Sequence, residues 1–247
     1  MKLYAESEQP KPQPEPVPEE PKPFSYRFKN WWYYHKWYVI CGVIAVGVII
    51  NIVGNALGLW TKKPDFQIAY VGEAVLPDDT VAALENAFAE LGGDFNGDGE
   101  AIVKLNQYII SAQADDPEAM AYSYSSEVLL MGDISACESY FFLTDDPEYL
   151  QRGFEILANP DGTPPANADT SVEDKVILWT DCGLLNEMEL GSYTALISGS
   201  EVSGENKELV AGLSLGRRFF NDKKTVDCLS QCDELWDRLV STVNVQN

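Results

Sequence analysis

The sequence predicts one transmembrane helix followed by an α/β domain: a mostly parallel sheet flanked by helices, with a β-meander appended. Three observations predict it. An unbroken apolar run fills residues 38–59, close to the ~20 residues a helix needs to cross a bilayer. From residue 64 onward the chain is acidic, holding 34 of the 39 acidic side chains and 9 of the 17 basic ones, an excess of 25 negative charges. In that same stretch short β-rich runs alternate with helix-period runs, the pattern of strands joined by right-handed crossovers.

The first 23 residues read as a disordered, proline-rich cytoplasmic arm. Proline recurs at 10, 12, 14, 16, 18, 21 and 23, which forbids a helix and favours an extended polyproline-II spacer. Pro18-Glu19-Glu20-Pro21 satisfies a PxxP pattern, but any proline run does so easily. Residues 24–37 form an aromatic and basic juxtamembrane collar. Nine of the fifteen residues at 24–38 are Phe, Tyr or Trp, side chains that favour the headgroup level. His35, the only histidine, lies in this belt beside Lys36 and reads as a polar anchor.

The transmembrane helix is expected over 38–60, with Trp60 at the far interface. Gly47, Asn51, Gly54, Asn55 and Gly58 share one face of it, and Gly54 and Gly58 make a GxxxG pair. Small residues let helices approach and asparagine bonds across the contact, so these five are the candidate homo-oligomer face. The lipid bilayer is the first expected partner. Lys22, Arg27, Lys29 and Lys36 precede the span and only Lys62 and Lys63 follow closely, which orients the N-terminus to the cytoplasm and residues 64–247 to the outside. Ala56-Leu57-Gly58 has a small-x-small look, but the apolar run exceeds the ~7–15 residues of a signal h-region and the leader is long, so the segment reads as an anchor of the cell membrane.

Residues 64–247 are long enough for one extracytoplasmic domain. Strands are expected at 66–71, 101–110 and 139–143. Helices are expected after Asp78 or Asp79 as cap, with Val81, Leu84, Phe88 and Leu91 inward; after Asp116-Pro117-Glu118, to about Met131; and after Asp146-Pro147-Glu148, to near Asn159-Pro160. A loop to about Thr170 precedes strands at 175–179, 193–197 and 209–215, the expected meander. An amphipathic helix closes the chain over 226–240, with Leu229, Leu235, Trp236 and Leu239 inward.

The sharpest chemical motif is Asp94-Phe95-Asn96-Gly97-Asp98-Gly99-Glu100. Its spacing is that of the first half of an EF-hand loop, with Asp94, Asn96, Asp98 and the carbonyl of Glu100 as candidate Ca2+ ligands and Gly99 at the sharp turn. The twelfth position is Leu105 instead of glutamate, so a further ligand must come from elsewhere. The same residues also make an Asn-Gly/Asp-Gly turn, and both readings stand.

Other chemistries are narrowed by residue type. Residues 64–247 contain no histidine, which removes histidine-based triads and histidine-ligated zinc from the outer domain. No P-loop, GxGxxG or GxSxG string occurs. The acidic surface is unsuited to nucleic acid. Cys137, Cys182, Cys228 and Cys232 allow three pairings; Cys228 and Cys232, four apart on a helix, are too far apart for a relaxed bridge. Arg217-Arg218 is a basic doublet suited to an anionic ligand or to local ion pairs.

Two resemblances follow. WWYYHKWYVI, KPDFQIAYVGE and DFNGDGEAIVKLNQY resemble uncharacterised single-pass membrane proteins of clostridial-type Gram-positive bacteria, a family with no activity to transfer. Residues 65–158, from DFQIAYVGE through AIVKLNQY to ESYFFLTDDPEYLQRGFEILAN, resemble the first lobe of an extracellular solute-binding protein; such a protein closes two lobes around a cleft, and residues 64–247 make about one, a departure that speaks against hinged capture and transporter delivery. The expected function is therefore a membrane-anchored, non-catalytic binding or interaction domain for a protein or small-molecule ligand. The alternatives are a surface hydrolase using paired carboxylates and an accessory or sensing subunit of a membrane complex. A deep pocket with facing carboxylates would mark the hydrolase, and an exposed apolar face would mark the subunit.

Overall fold

The structure, a computed structural model, describes residues 23–56, 62–111, 116–166, 169–197, 199–220 and 224–243. It divides into two units, Met1–Lys62 and Lys63–Asn247. The proline arm at 1–22 and the expected positions of Gly58 and Trp60 lie outside the described residues, as does the Asn55 side chain.

The first unit holds one helix, α1 (Phe24–Ala56), long and apolar enough to cross a membrane over Phe24–Gly54. The aromatic collar is thus the first turns of the same helix instead of a separate segment before it. Its rings stack along the helix: Trp31 lies 5.2 Å from His35, and the His35 Nδ1 pairs with the Trp31 carbonyl at 2.9 Å. Ile44, Ile49, Ile50 and Ile52 are exposed, as a bilayer-facing helix requires.

The second unit is a mixed α/β fold. In order it contains β1 (Phe66–Gly72), α2 (Asp78–Gly92), β2 (Val103–Ile109), α3 (Pro117–Ala136), β3 (Phe141–Thr144), α4 (Pro147–Phe154) and β4 (Val176–Leu178). A 3-10 turn (Trp179–Asp181) leads into α5 (Gly183–Glu187), β5 (Ser192–Ile197), β6 (Ser200–Glu205), α6 (Asn206–Val210), β7 (Ser214–Arg217) and α7 (Leu229–Ser241). The main sheet runs β2-β1-β3-β7-β4. β1 is parallel to both neighbours, with Ile68 opposite Leu105 and Phe141. β7 is antiparallel to both of its neighbours, with Leu215 opposite Leu143 and Ile177.

The sheet is therefore mixed, and the expectation of a mostly parallel one is not met. β7, the last strand in the chain, lies antiparallel between β3 and β4. The expected meander on the main sheet does not form. β5 and β6 form their own two-stranded hairpin, turning at Gly199 (φ +80°), where a positive φ favours glycine. The expected strand at 209–215 begins as helix α6. The buried Asn206 anchors it, donating to the Leu190 carbonyl at 2.7 Å and accepting from Thr80 Oγ1 at 2.6 Å.

Alternation along β1 divides the core. Ile68 and Tyr70 face one layer with Leu84 and Phe88 of α2 and Leu235, Trp236 and Leu239 of α7. Ala69 and Val71 face the other, with Leu130 of α3 and Leu150 of α4. Phe141 is ringed by Tyr140, Phe66, Trp236 and Phe88 at centroid distances of 4.6 to 6.4 Å. Asp78 and Asp79 lie inside the first turn of α2, with Pro77 at the cap position and no side-chain cap bond. Asp79 instead accepts the Thr194 amide, tying the hairpin to α2 at 3.0 Å.

Candidate functional site

α3 carries the most unusual surface of the domain. Asp116 caps its start, accepting the amides of Glu118 and Ala119 at 2.9 Å each, with Pro117 at the first helical position. The helix runs to Ala136, five residues beyond the expected Met131, and Cys137 caps it in the left-handed region. Its inward face is largely polar: Ser123, Ser126 and Asp133 are buried with Leu130. The Asp133 carboxylate accepts from Tyr108 Oη at 2.8 Å and from the Ser139 hydroxyl and amide at 2.6 and 3.0 Å. Burial, with Asp133 alongside, pushes the Tyr108 hydroxyl pKa up, so it remains a donor.

The outward side is apolar. Met120, Tyr122, Tyr124, Val128, Leu129 and Met131 are all exposed, Tyr124 by 69%. Met120, Tyr124, Val128 and Met131 follow the i, i+4, i+8, i+11 spacing of one helical stripe. Leu129 lies on the other flank, where it lines a groove of about 640 Å³ with Leu105, Tyr108 and Asp133 along β2. β2 is an edge of the main sheet, and the Leu105 amide is capped by the Glu85 carboxylate at 2.9 Å.

Ligands of open α/β sheets gather at the carboxyl ends of the strands. Here Gly72, Glu73, Thr144, Asp145 and Asp146 meet, and Asp145 accepts the Glu73 amide at 2.9 Å. The cavity they leave is about 20 Å³, against the several hundred that a small-ligand pocket takes. A Cβ at Gly72 would collide with the Tyr70 ring, so this end is closely filled.

The candidate calcium residues form one closed turn. Asp94 accepts the amides of Gly97 at 2.6 Å and Gly99 at 2.8 Å; Asn96 Oδ1 accepts the Asp98 amide, and Asp98 Oδ1 accepts the Glu100 amide. Gly97 and Gly99 hold positive φ. Leu105, at the twelfth position, is buried in β2. Among the described residues no group of three or more His, Cys, Asp or Glu side chains is placed to hold a metal ion. The turn is pinned from beneath by the buried Asp65, which accepts the Phe95, Asn96 and Ile102 amides.

Both arginines of the doublet are buried. Arg217 pairs with Asp233 at 3.3 Å and donates to the Pro160 carbonyl at 2.8 Å. Arg218 donates to the Ile134 and Ser139 carbonyls, joining the end of α3 to the start of β3. They act as internal fasteners. All five cysteines are free thiols. Burial pushes the Cys232 thiol up to about 12 and raises that of Cys228, which makes both poor nucleophiles.

No protein-family model, curated protein or solved structure matches this chain. The sequence alone does not mark the outward face of α3 as a surface. Ser123, Ser126 and Asp133 share one helical face at i, i+3 and i+10, but Glu118, Ser125, Glu127 and Ser135 on the same helix are polar too, so the burial of that face is read from the structure alone.

Proposed function

We propose that the chain is a membrane-anchored, extracytoplasmic, non-catalytic interaction domain, an accessory subunit of a membrane complex, whose contact surface is the outward face of α3. The observation that carries this reading is the reversal of α3: it buries serine and aspartate and leaves six large apolar side chains in water. An isolated domain gains nothing from that arrangement, whereas a docked one removes the apolar area from water at roughly 25 cal/mol per Å². α1 supplies the tether, and the lysine and arginine asymmetry around it supplies the orientation.

A photo-crosslinking residue at position 124 tests the reading in intact cells, against the same residue at the exposed position 90 on α2. Discrete protein adducts at 124 and none at 90 are expected. Equal labelling at the two positions, or none at 124, would overturn it. Protease added to intact cells should also digest residues 64–247; a protected domain would reverse the orientation.

A further inference from the structure

We infer that the Met120–Tyr124–Val128–Met131 stripe receives a basic amphipathic helix of a partner protein; this rests on the reading of α3 as the contact surface. The stripe rises through eleven residues, about 16 Å of helix axis, which matches three turns of a partner helix bearing apolar anchors at i, i+4, i+7 and i+11. Charge decides what flanks those anchors. α3 contains no basic residue and carries Glu118 and Glu127. The Glu127 carboxylate accepts the Tyr149 hydroxyl at 2.6 Å, which brings the start of α4, with Asp146 and Glu148, to the same side. Arg152 is the single base on α4.

A second copy of this domain would set one excess of 25 negative charges against another across an apolar seam bordered by carboxylates. A helix with lysine or arginine beside its apolar stripe removes that repulsion. It also brings charges that pair at the rim, where they set orientation and association rate.

The experiment uses the full-length protein in nanodiscs of zwitterionic lipid, with empty nanodiscs as control. The probe is a synthetic 18-residue amphipathic helix with a leucine stripe flanked by lysines, compared with the same stripe flanked by glutamates. The lysine peptide is expected to bind at least tenfold more tightly than the glutamate peptide. Replacing the stripe together (Met120→Gln, Tyr124→Gln, Val128→Gln, Met131→Gln) keeps the acidic rim and should lower lysine-peptide affinity at least tenfold, with the melting curve unchanged. Equal binding of both peptides, no binding, or lysine-peptide binding that survives the fourfold variant would each overturn the proposal. Self-association of the wild type that the fourfold variant abolishes would also overturn it, while leaving α3 as the contact surface; loss of the position-124 adducts would remove that surface itself.

Discussion

The Asp65 carboxylate accepts the Ile102 amide at 2.7 Å across 37 residues of chain, and its other oxygen accepts Phe95 and Asn96. One buried side chain at the mouth of β1 therefore fixes both ends of the 94–100 turn. Asp65→Ala leaves three amides without their acceptor and should cost about 3 kcal/mol, since each unsatisfied donor costs ~1–3 kcal/mol before water enters. Chemical denaturation reads the loss, and limited proteolysis should shift to the turn. Unchanged stability would show that the turn closes by itself.

The two sides of α3 should respond oppositely to substitution. Asp133→Ala deprives Tyr108 and Ser139 of their shared acceptor and should destabilise the domain by about 2–4 kcal/mol. Tyr124→Gln, on the exposed side, should stay within about 0.5 kcal/mol of wild type. Equal losses in the two variants would mean that the exposed stripe packs within the domain.

Alkaline pH should weaken the fold. Burial pushes the hydroxyl pKa values of Tyr70, Tyr108 and Tyr140 up, and Tyr149 to about 12. These groups hold protons in the folded chain that the unfolded chain releases near pH ~10, so their contribution is whole below that pH and falls as pH rises above it. The denaturation midpoint should be lower at about pH 11 than at about pH 8, and Tyr140→Phe should reduce the difference. Midpoints that coincide would contradict this account.

Melting curves in millimolar calcium and in a chelator test the Asp94–Glu100 turn as a cation site, and superimposable curves would leave it a turn alone. Asp94, Asn96 and Asp98 each already accept amides within the turn, and the twelfth position is the buried Leu105. A calcium-dependent rise in Tm that disappears in Asp98→Ala would instead make the turn a cation site.

What the sequence disclosed was local. Asp116-Pro117 and Asp146-Pro147 mark helix starts because caps act within one turn, and β1 and β2 carry enough apolar residues to be read alone. β6, Ser-Glu-Val-Ser-Gly-Glu, is strand only because β5 lies beside it. The direction of β7 is set by the gap it fills, a fact held by no residue within it. α4 ends at Glu155 in the left-handed region, well before the proline expected to stop it. The α3 surface was hidden because apolar runs are read as core, and only the depth of Ser123 and Ser126 reverses that.

The position of β7 gives this domain a timetable. β3 offers one edge to β1 and the other to β7. During synthesis β7 follows β3 by roughly seventy residues, so at ~5–20 residues per second the Phe141-Phe142-Leu143 edge stands open for several seconds. An open apolar edge is a template for pairing with other nascent chains. The yield of this protein should therefore depend on how fast its last third is made, and slow codons between β4 and β7 should cost more folded product than the same codons before β1.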